Sequence, residues 1–196
     1  MVTSPAILGR RILITGDVNS GKTTLSRLMV EALCLDGFGP EIAIVDCAPE
    51  VPRQIALARG VSGVGGKLAY PPDMAVLYLA DHIAAPRLST NTEEEAVVVA
   101  AANKARIDVL LDRFAASGRQ ILFINDVTLY LQAGDVRELT NRIAGASTVV
   151  ANGYRGTRLG TGILSRREAA ELTTLSTLFP YHVALPGATP EEVLGL

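Results

Sequence analysis

A chain of 196 residues, 48% of them hydrophobic, is long enough to bury a substantial core and too apolar to remain unfolded. Its formal net charge of −2 excludes a global basic field for gripping nucleic acid and leaves only a local patch open. Two cysteines, Cys34 and Cys47, are too few for a disulfide framework or a zinc site, and apolar runs such as Ala96 to Ala102 are far short of a membrane span.

Arg10 and Arg11 break the first apolar stretch, so no signal-peptide layout is expected, and the reduced-looking cysteine usage points to the cytoplasm. Ile12, Leu13 and Ile14 predict a first buried strand over 11–15. A helix over 22–36 follows, with Leu25, Leu28, Met29, Ala32 and Leu33 on one face and Gly37 as its stop. Cys34 falls in that helix as a core residue. A second strand over 42–46 ends at Asp46, with Cys47 beyond it as a free structural thiol.

Residues 47–74 are rich in Gly and Pro and read as a long functional loop, with room for a short helix over 51–59. A third strand spans 75–80. Three Ser/Thr/Asp-x-x-Glu signatures then open helices: Thr92 with Glu95 (to about 117), Asp135 with Glu138, and Ser165 with Glu168. Between them lie strands over 120–125, 148–151 and 181–185. Strand and helix alternate to the end, which predicts a single α/β domain over 1–196. Its three layers are a mostly parallel sheet and helices on both faces.

The chemistry concentrates between the first strand and the first helix. Gly16-Asp17-Val18-Asn19-Ser20-Gly21-Lys22-Thr23 fits G-x-x-x-x-G-K-[ST], the phosphate-binding loop of P-loop NTPases. Glycines let successive backbone N–H groups turn inward round a phosphate, and the helix N-terminus adds partial positive charge. Gly16, Asn19, Ser20, Gly21, Lys22, Thr23 and Thr24 are therefore the candidate nucleotide contacts. Lys22 reaches the β- and γ-phosphates, and the Thr23 hydroxyl sits on Mg²⁺.

Such a loop needs a carboxylate at the end of a neighbouring strand. Asp46, after Ile42-Ala43-Ile44-Val45, is the first choice. Asp126 is the second, because Asn125 takes the first polar position after Ile121–Ile124 and strand alternation aims Asp126 elsewhere. No Asp-Glu pair of the strong ATPase kind is present. Guanine specificity calls for Asn/Thr-Lys-x-Asp, which Asn103-Lys104-Ala105-Arg106 lacks, so ATP is favoured over GTP. Asn152, after the fifth strand, is a candidate base contact. Arg155 and Arg158 lie in a Gly-rich segment, 152–164, that suits a lid over the transferring phosphate. Arg53, Arg59 and Lys67 carry the same expectation more weakly. Asp81-His82 offers a general-base pair, His182 a structural histidine, and Arg166 and Arg167 a solvated helix start.

In order and spacing, residues 10–152 resemble the P-loop domain of the polynucleotide 5′-hydroxyl kinase family, which includes pre-mRNA and pre-rRNA processing factors. The loop matches through Asn19-Ser20. Val45-Asp46-Cys47-Ala48-Pro49-Glu50 stands where that family has Asp-x-Asp-x-Gly-Gln, with Ala48 replacing the second Asp. Leu77 to Pro86 is a relaxed version of its Gly-His/Asp-x-Ser-Pro strand end. Phe123 to Leu129 shares a strand and Asn but lacks Thr-x-Gly-Trp. The resemblance implies ATP- and Mg²⁺-dependent phosphoryl transfer or ATP hydrolysis, although the charge gives a nucleic-acid partner no support. The alternative expectation is a nucleotide-gated binding protein with little or no turnover.

Overall fold

The computed structural model describes residues 2–51, 53–58 and 66–185. Arg59 and most of the loop glycines lie outside the described residues, as do the last eleven positions, 186–196. Six strands form one sheet: β1 (Arg11–Gly16), β2 (Ile42–Asp46), β3 (Leu77–Ala80), β4 (Ile121–Asn125), β5 (Thr148–Tyr154) and β6 (Tyr181–Leu185). Their order is β3-β2-β4-β5-β1-β6, and each described pairing is parallel. Parallel strands buried on both faces read as continuous apolar runs, as Ile121–Ile124 and Ile42–Val45 do.

Period-two alternation splits each strand between two cores. Ile12, Ile14, Ile44 and Phe123 pack with Leu25, Met29 and Leu33 of α1 (Lys22–Leu35) on one face. Leu13, Val45, Leu122 and Ile124 face the other way. There they meet Ile107 and Leu111 of α4 (Glu93–Ser117) and Leu172 and Leu175 of α7 (Ile163–Thr177). The result is three layers, with a P-loop NTPase fold. The shorter helices are α2 (Arg53–Ala58), α3 (Pro86–Ser89), α5 (Thr128–Leu131) and α6 (Val136–Arg142).

Local signals account for most boundaries. The Thr92 hydroxyl accepts from Glu95 N at 3.1 Å, the Glu95 carboxylate accepts from Asn91 N at 3.0 Å, and Gly118 ends α4 in the left-handed conformation (φ 68°). Asp135 caps α6 through Glu138 N at 2.8 Å. The third signature behaves differently. α7 begins at Ile163, and the Glu93 carboxylate accepts from Ile163 N at 2.9 Å, so Ser165 and Glu168 lie inside the helix. A cap supplied from another helix leaves no trace in local spacing. β3 starts two residues late because Ala75 has φ 54°, and β5 runs three residues further than expected, to Tyr154. The four-residue helices α3 and α5 were not expected from the sequence. α5 is wholly buried, so it lacks the one-sided apolar pattern that marks a surface helix.

Candidate functional site

Because all strands point the same way, the ends of β1, β2, β4 and β5 share one edge, where open α/β sheets bind ligands. Residues 16–21 turn from β1 into α1 there. Gly16 has no room for a side chain, since a Cβ would lie 2.5 Å from the Leu185 carbonyl. Asn19 (φ 61°) and Gly21 (φ 95°) take left-handed conformations, and α1 has no side-chain cap. Its first N–H groups are thereby left to a ligand. The Lys22 ammonium folds back onto the loop, donating to the carbonyls of Gly16 (3.0 Å) and Asp17 (2.7 Å). Burial lowers its pKa, against the opposing charges of Asp126 and Asp17.

A cavity of about 280 Å³ opens on this loop. Asn19, Ser20, Gly21, Lys22, Thr23 and Thr24 line it from the loop and α1, and Asn125, Asp126, Asn152, Tyr154 and Leu159 line it from the ends of β4 and β5 and beyond. Asp126 reaches the cavity because its backbone is left-handed (φ 58°), which breaks the strand alternation that pointed it elsewhere. The Thr128 hydroxyl donates to its carboxylate at 2.6 Å, and Asn152 Oδ1 accepts from its N–H at 2.9 Å. Burial pushes the Asp126 carboxyl up, and the Thr128 hydrogen bond and the charges of Lys22 and Arg87 pull it back.

Asp46 has another place. It does not line the cavity, it is fully buried, and three strand spacings (β2, β4, β5, β1) separate its strand from the loop. Its carboxylate accepts from Ala48 N (3.0 Å), Asn125 Nδ2 (2.9 Å), Leu68 N (2.7 Å) and the Tyr78 hydroxyl (2.6 Å). Asp46 is thus the anchor of a buried polar chain across the sheet edge. Asn125 Oδ1 accepts from Asn152 Nδ2 at 2.9 Å, and Asn152 Nδ2 also donates to Ser26 of α1 at 3.0 Å. Asn152 therefore spends its amide on the scaffold while also lining the cavity. A fully satisfied network of this kind is rigid.

The segment expected as a lid is still strand to Tyr154; the loop proper starts at Arg155. Arg155 N donates to Gly16 O at 2.9 Å, and Leu159 N donates to the Tyr154 hydroxyl at 3.1 Å, which ties the segment to the phosphate loop. Arg155 is exposed and lines another cavity. Arg158 stands 3.8 Å from the Asp17 carboxylate, a solvent-exposed contact. Lys67 donates to Ala48 O at 2.9 Å. His82 pairs with Glu50 at 2.9 Å on the surface, outside the cavity, and His182 shares a 2.8 Å hydrogen bond with Thr15. Burial lowers the His182 pKa, with Arg155 adding to the effect. Burial pushes the Cys47 thiol well above its ordinary value, as suits an inert core residue.

Sequence reasoning passed over Arg87, Thr128, Gln132, Tyr154 and Leu159. Arg87 is nearly buried, pairs with Glu168 at 3.1 Å and lies over the Tyr154 ring at 5.6 Å. No spacing rule connects positions 87 and 168. The one available signal was Glu168 itself, a carboxylate at an apolar-face position of its helix.

The sheet order and the loop at the end of β1 define the class: a three-layer α/β protein with the P-loop NTPase fold. Among solved structures, the chain is similar to the flagellar accessory protein FlaH from Methanocaldococcus jannaschii, with a TM-score of 0.52 and 11% identity over 91% of this chain and 71% of that one. A likeness at that identity establishes the fold. No protein-family model matches the chain, and no curated protein matches it. The resemblance to polynucleotide kinases therefore stands on motifs alone. Among the described residues, no group of three or more His, Cys, Asp and Glu is placed to hold a metal, and no helix is long and apolar enough to cross a membrane.

Proposed function

We propose that this chain binds magnesium–ATP in the phosphate-loop cavity and acts as a nucleotide-gated binding protein with little turnover. The observation that carries the reading is that Lys22, Thr23, Thr24 and Asp126 line one cavity in which, among the described residues, Asp126 is the single carboxylate. Lys22 and the N–H groups of 16–23 supply charge for the phosphates. The Thr23 hydroxyl and the Asp126 carboxylate are the hard oxygen donors that suit Mg²⁺, which takes its remaining ligands from phosphate and water and needs no larger protein cluster. The ion, when bound, neutralises phosphate charge. Asp126 takes the place first expected of Asp46, whose four donors leave it no free lone pair directed at the loop. A carboxylate occupied with the metal leaves no second one in the cavity to take a proton from water or an acceptor hydroxyl.

The segment 155–160, hinged on Gly16 and Tyr154, is the part that responds to the γ-phosphate, together with the 47–74 loop. Limited proteolysis with magnesium–ATP against magnesium–ADP tests this: different protection across 47–74 and 155–160 is expected, and identical protection refutes the gate. Calorimetry with Lys22→Ala tests the binding itself, and undiminished affinity in that variant refutes the site. Arg158 beside the loop favours one other reading, a phosphotransferase or ATPase. Lys22-dependent ADP formation, raised by an added hydroxyl acceptor, is its signature.

A further inference from the structure

A row of charged groups leaves the nucleotide cavity on the side away from the phosphate loop. Asp126 lines the nucleotide cavity with Lys22 and a smaller cavity with Arg87, and both positive charges favour its ionised form. Arg87, anchored in α3, donates to the Ser165 hydroxyl at 3.0 Å and pairs with Glu168 of α7 at 3.1 Å; the two side chains are only 15% and 4% exposed. Gln132 Nε2 donates at 2.8 Å to Glu168 Oε2, the same oxygen that Arg87 meets. Signs therefore alternate from the loop to the helix: Lys22, Asp126, Arg87, Glu168.

The surroundings make this row responsive. Asp126, Arg87, Gln132, Tyr154 and Leu159 line a small cavity of about 30 Å³, room for a water. Gln132 Oε1 is buried against it without a hydrogen-bond partner. Arg87, Ser165 and Leu159 also line a second cavity of about 300 Å³ between the starts of α4 and α7. Leu159 thus borders the nucleotide cavity, the small cavity and the second cavity. The charged or titratable groups facing Glu168 are Arg87, Asp126, Tyr154 and, across a neighbouring cavity, Arg155.

We propose that Lys22, Asp126, Arg87 and Glu168 form a chain of alternating charge that couples the nucleotide site to the first turns of α7, so that magnesium–nucleotide bound at one end expels a proton from Glu168 at the other. The coupling rests on the binding reading above. With the site empty, burial above all, and the Asp126 charge after it, push the Glu168 carboxyl up to about 7 despite Arg87 and Gln132. Asp126, once its charge is met by the bound cation, would no longer repel Glu168 and would leave Arg87 to it, while Lys22 and the loop N–H groups would offset the triphosphate charge. The Glu168 O–H then ionises, its proton passing to solvent buffer, and the Arg87–Glu168 pair tightens over the second cavity.

The test is calorimetry of magnesium–ATPγS binding at pH 7 in two buffers of different ionisation enthalpy, with wild type and Glu168→Gln. A group half-protonated at pH 7 releases up to about half a proton per site. Wild type is expected to release more protons than Glu168→Gln by up to that amount, and its affinity to rise by up to about threefold per pH unit around pH 7. Equal release by the two proteins overturns the coupling. Should Glu168→Gln fail to fold, the carbon-13 titration of the Glu168 carboxyl in wild type decides. Its midpoint falls on addition of magnesium–ATPγS if the chain operates, and an unmoved midpoint overturns it. Absence of any binding heat in wild type overturns the nucleotide reading itself, and is distinct from binding without proton release.

Discussion

Asp46→Asn separates an anchor from a metal ligand. The substitution keeps the shape and removes the charge, so its effect depends on what the two oxygens do. Each accepts two hydrogen bonds: one from Ala48 N and Asn125 Nδ2, the other from Leu68 N and the Tyr78 hydroxyl. An amide nitrogen at the first position faces two donors, and Asn125 cannot flip to accept without turning its nitrogen on Asn152. At the second position Tyr78 can rotate to accept, leaving the Leu68 N–H unsatisfied. One orphaned buried donor plus the loss of charge-assisted bonds costs about 2–5 kcal/mol. Urea denaturation should therefore show a large fall in midpoint with an unchanged slope, while the folded protein retains magnesium-dependent ATPγS affinity within about threefold, a difference under 1 kcal/mol. Unchanged stability together with loss of the magnesium dependence would place Asp46 at the metal and refute the assignment to Asp126.

Thr128→Val removes the 2.6 Å hydrogen bond that holds the Asp126 carboxylate and lowers its pKa. Magnesium-dependent ATPγS affinity should fall up to about tenfold, the equivalent of ~1.4 kcal/mol, and unaltered calorimetric binding would show that Asp126 needs no such support. Gly16→Ala drives a Cβ into the Leu185 carbonyl and the Ser20 side chain, so β6 must shift. A loss of about 1–3 kcal/mol in thermal or urea unfolding, with loss of nucleotide binding, is expected. Glu168 is raised from 4.5 to about 7 in the fold, so its favourable contribution is complete below pH 4.5 and disappears as pH rises through 7. Urea midpoints of wild type and Glu168→Gln measured between pH 5 and 8 should diverge with that sign, and parallel curves would contradict it.

Local signals carried the architecture. The phosphate loop, strand β2, the first helix and the Thr92 and Asp135 caps each depend on contacts a few residues apart, so spacing and residue type suffice to read them. The α7 start escaped that logic because its cap, Glu93, comes from 70 residues away in sequence. The site divided along the same line. Lys22 and Thr23 could be named from eight consecutive letters, since the loop builds its own geometry. Asp46 and Asp126 are both aspartates at strand ends and look alike in sequence. What parts them is the strand order, which sets β2 three places from β1, and one left-handed residue, which turns Asp126 into the cavity. Asn125, Asn152 and Ser26 become one chain only when β2, β4, β5 and α1 stand side by side. Arg87 and Glu168 meet only when α3 and α7 close over the sheet edge. The sequence by itself determined that a phosphate loop sits between a buried strand and a helix in a parallel α/β sheet. The tertiary structure alone decided which carboxylate faces that loop, because burial and side-chain direction are properties of strands brought together, not of any strand read alone.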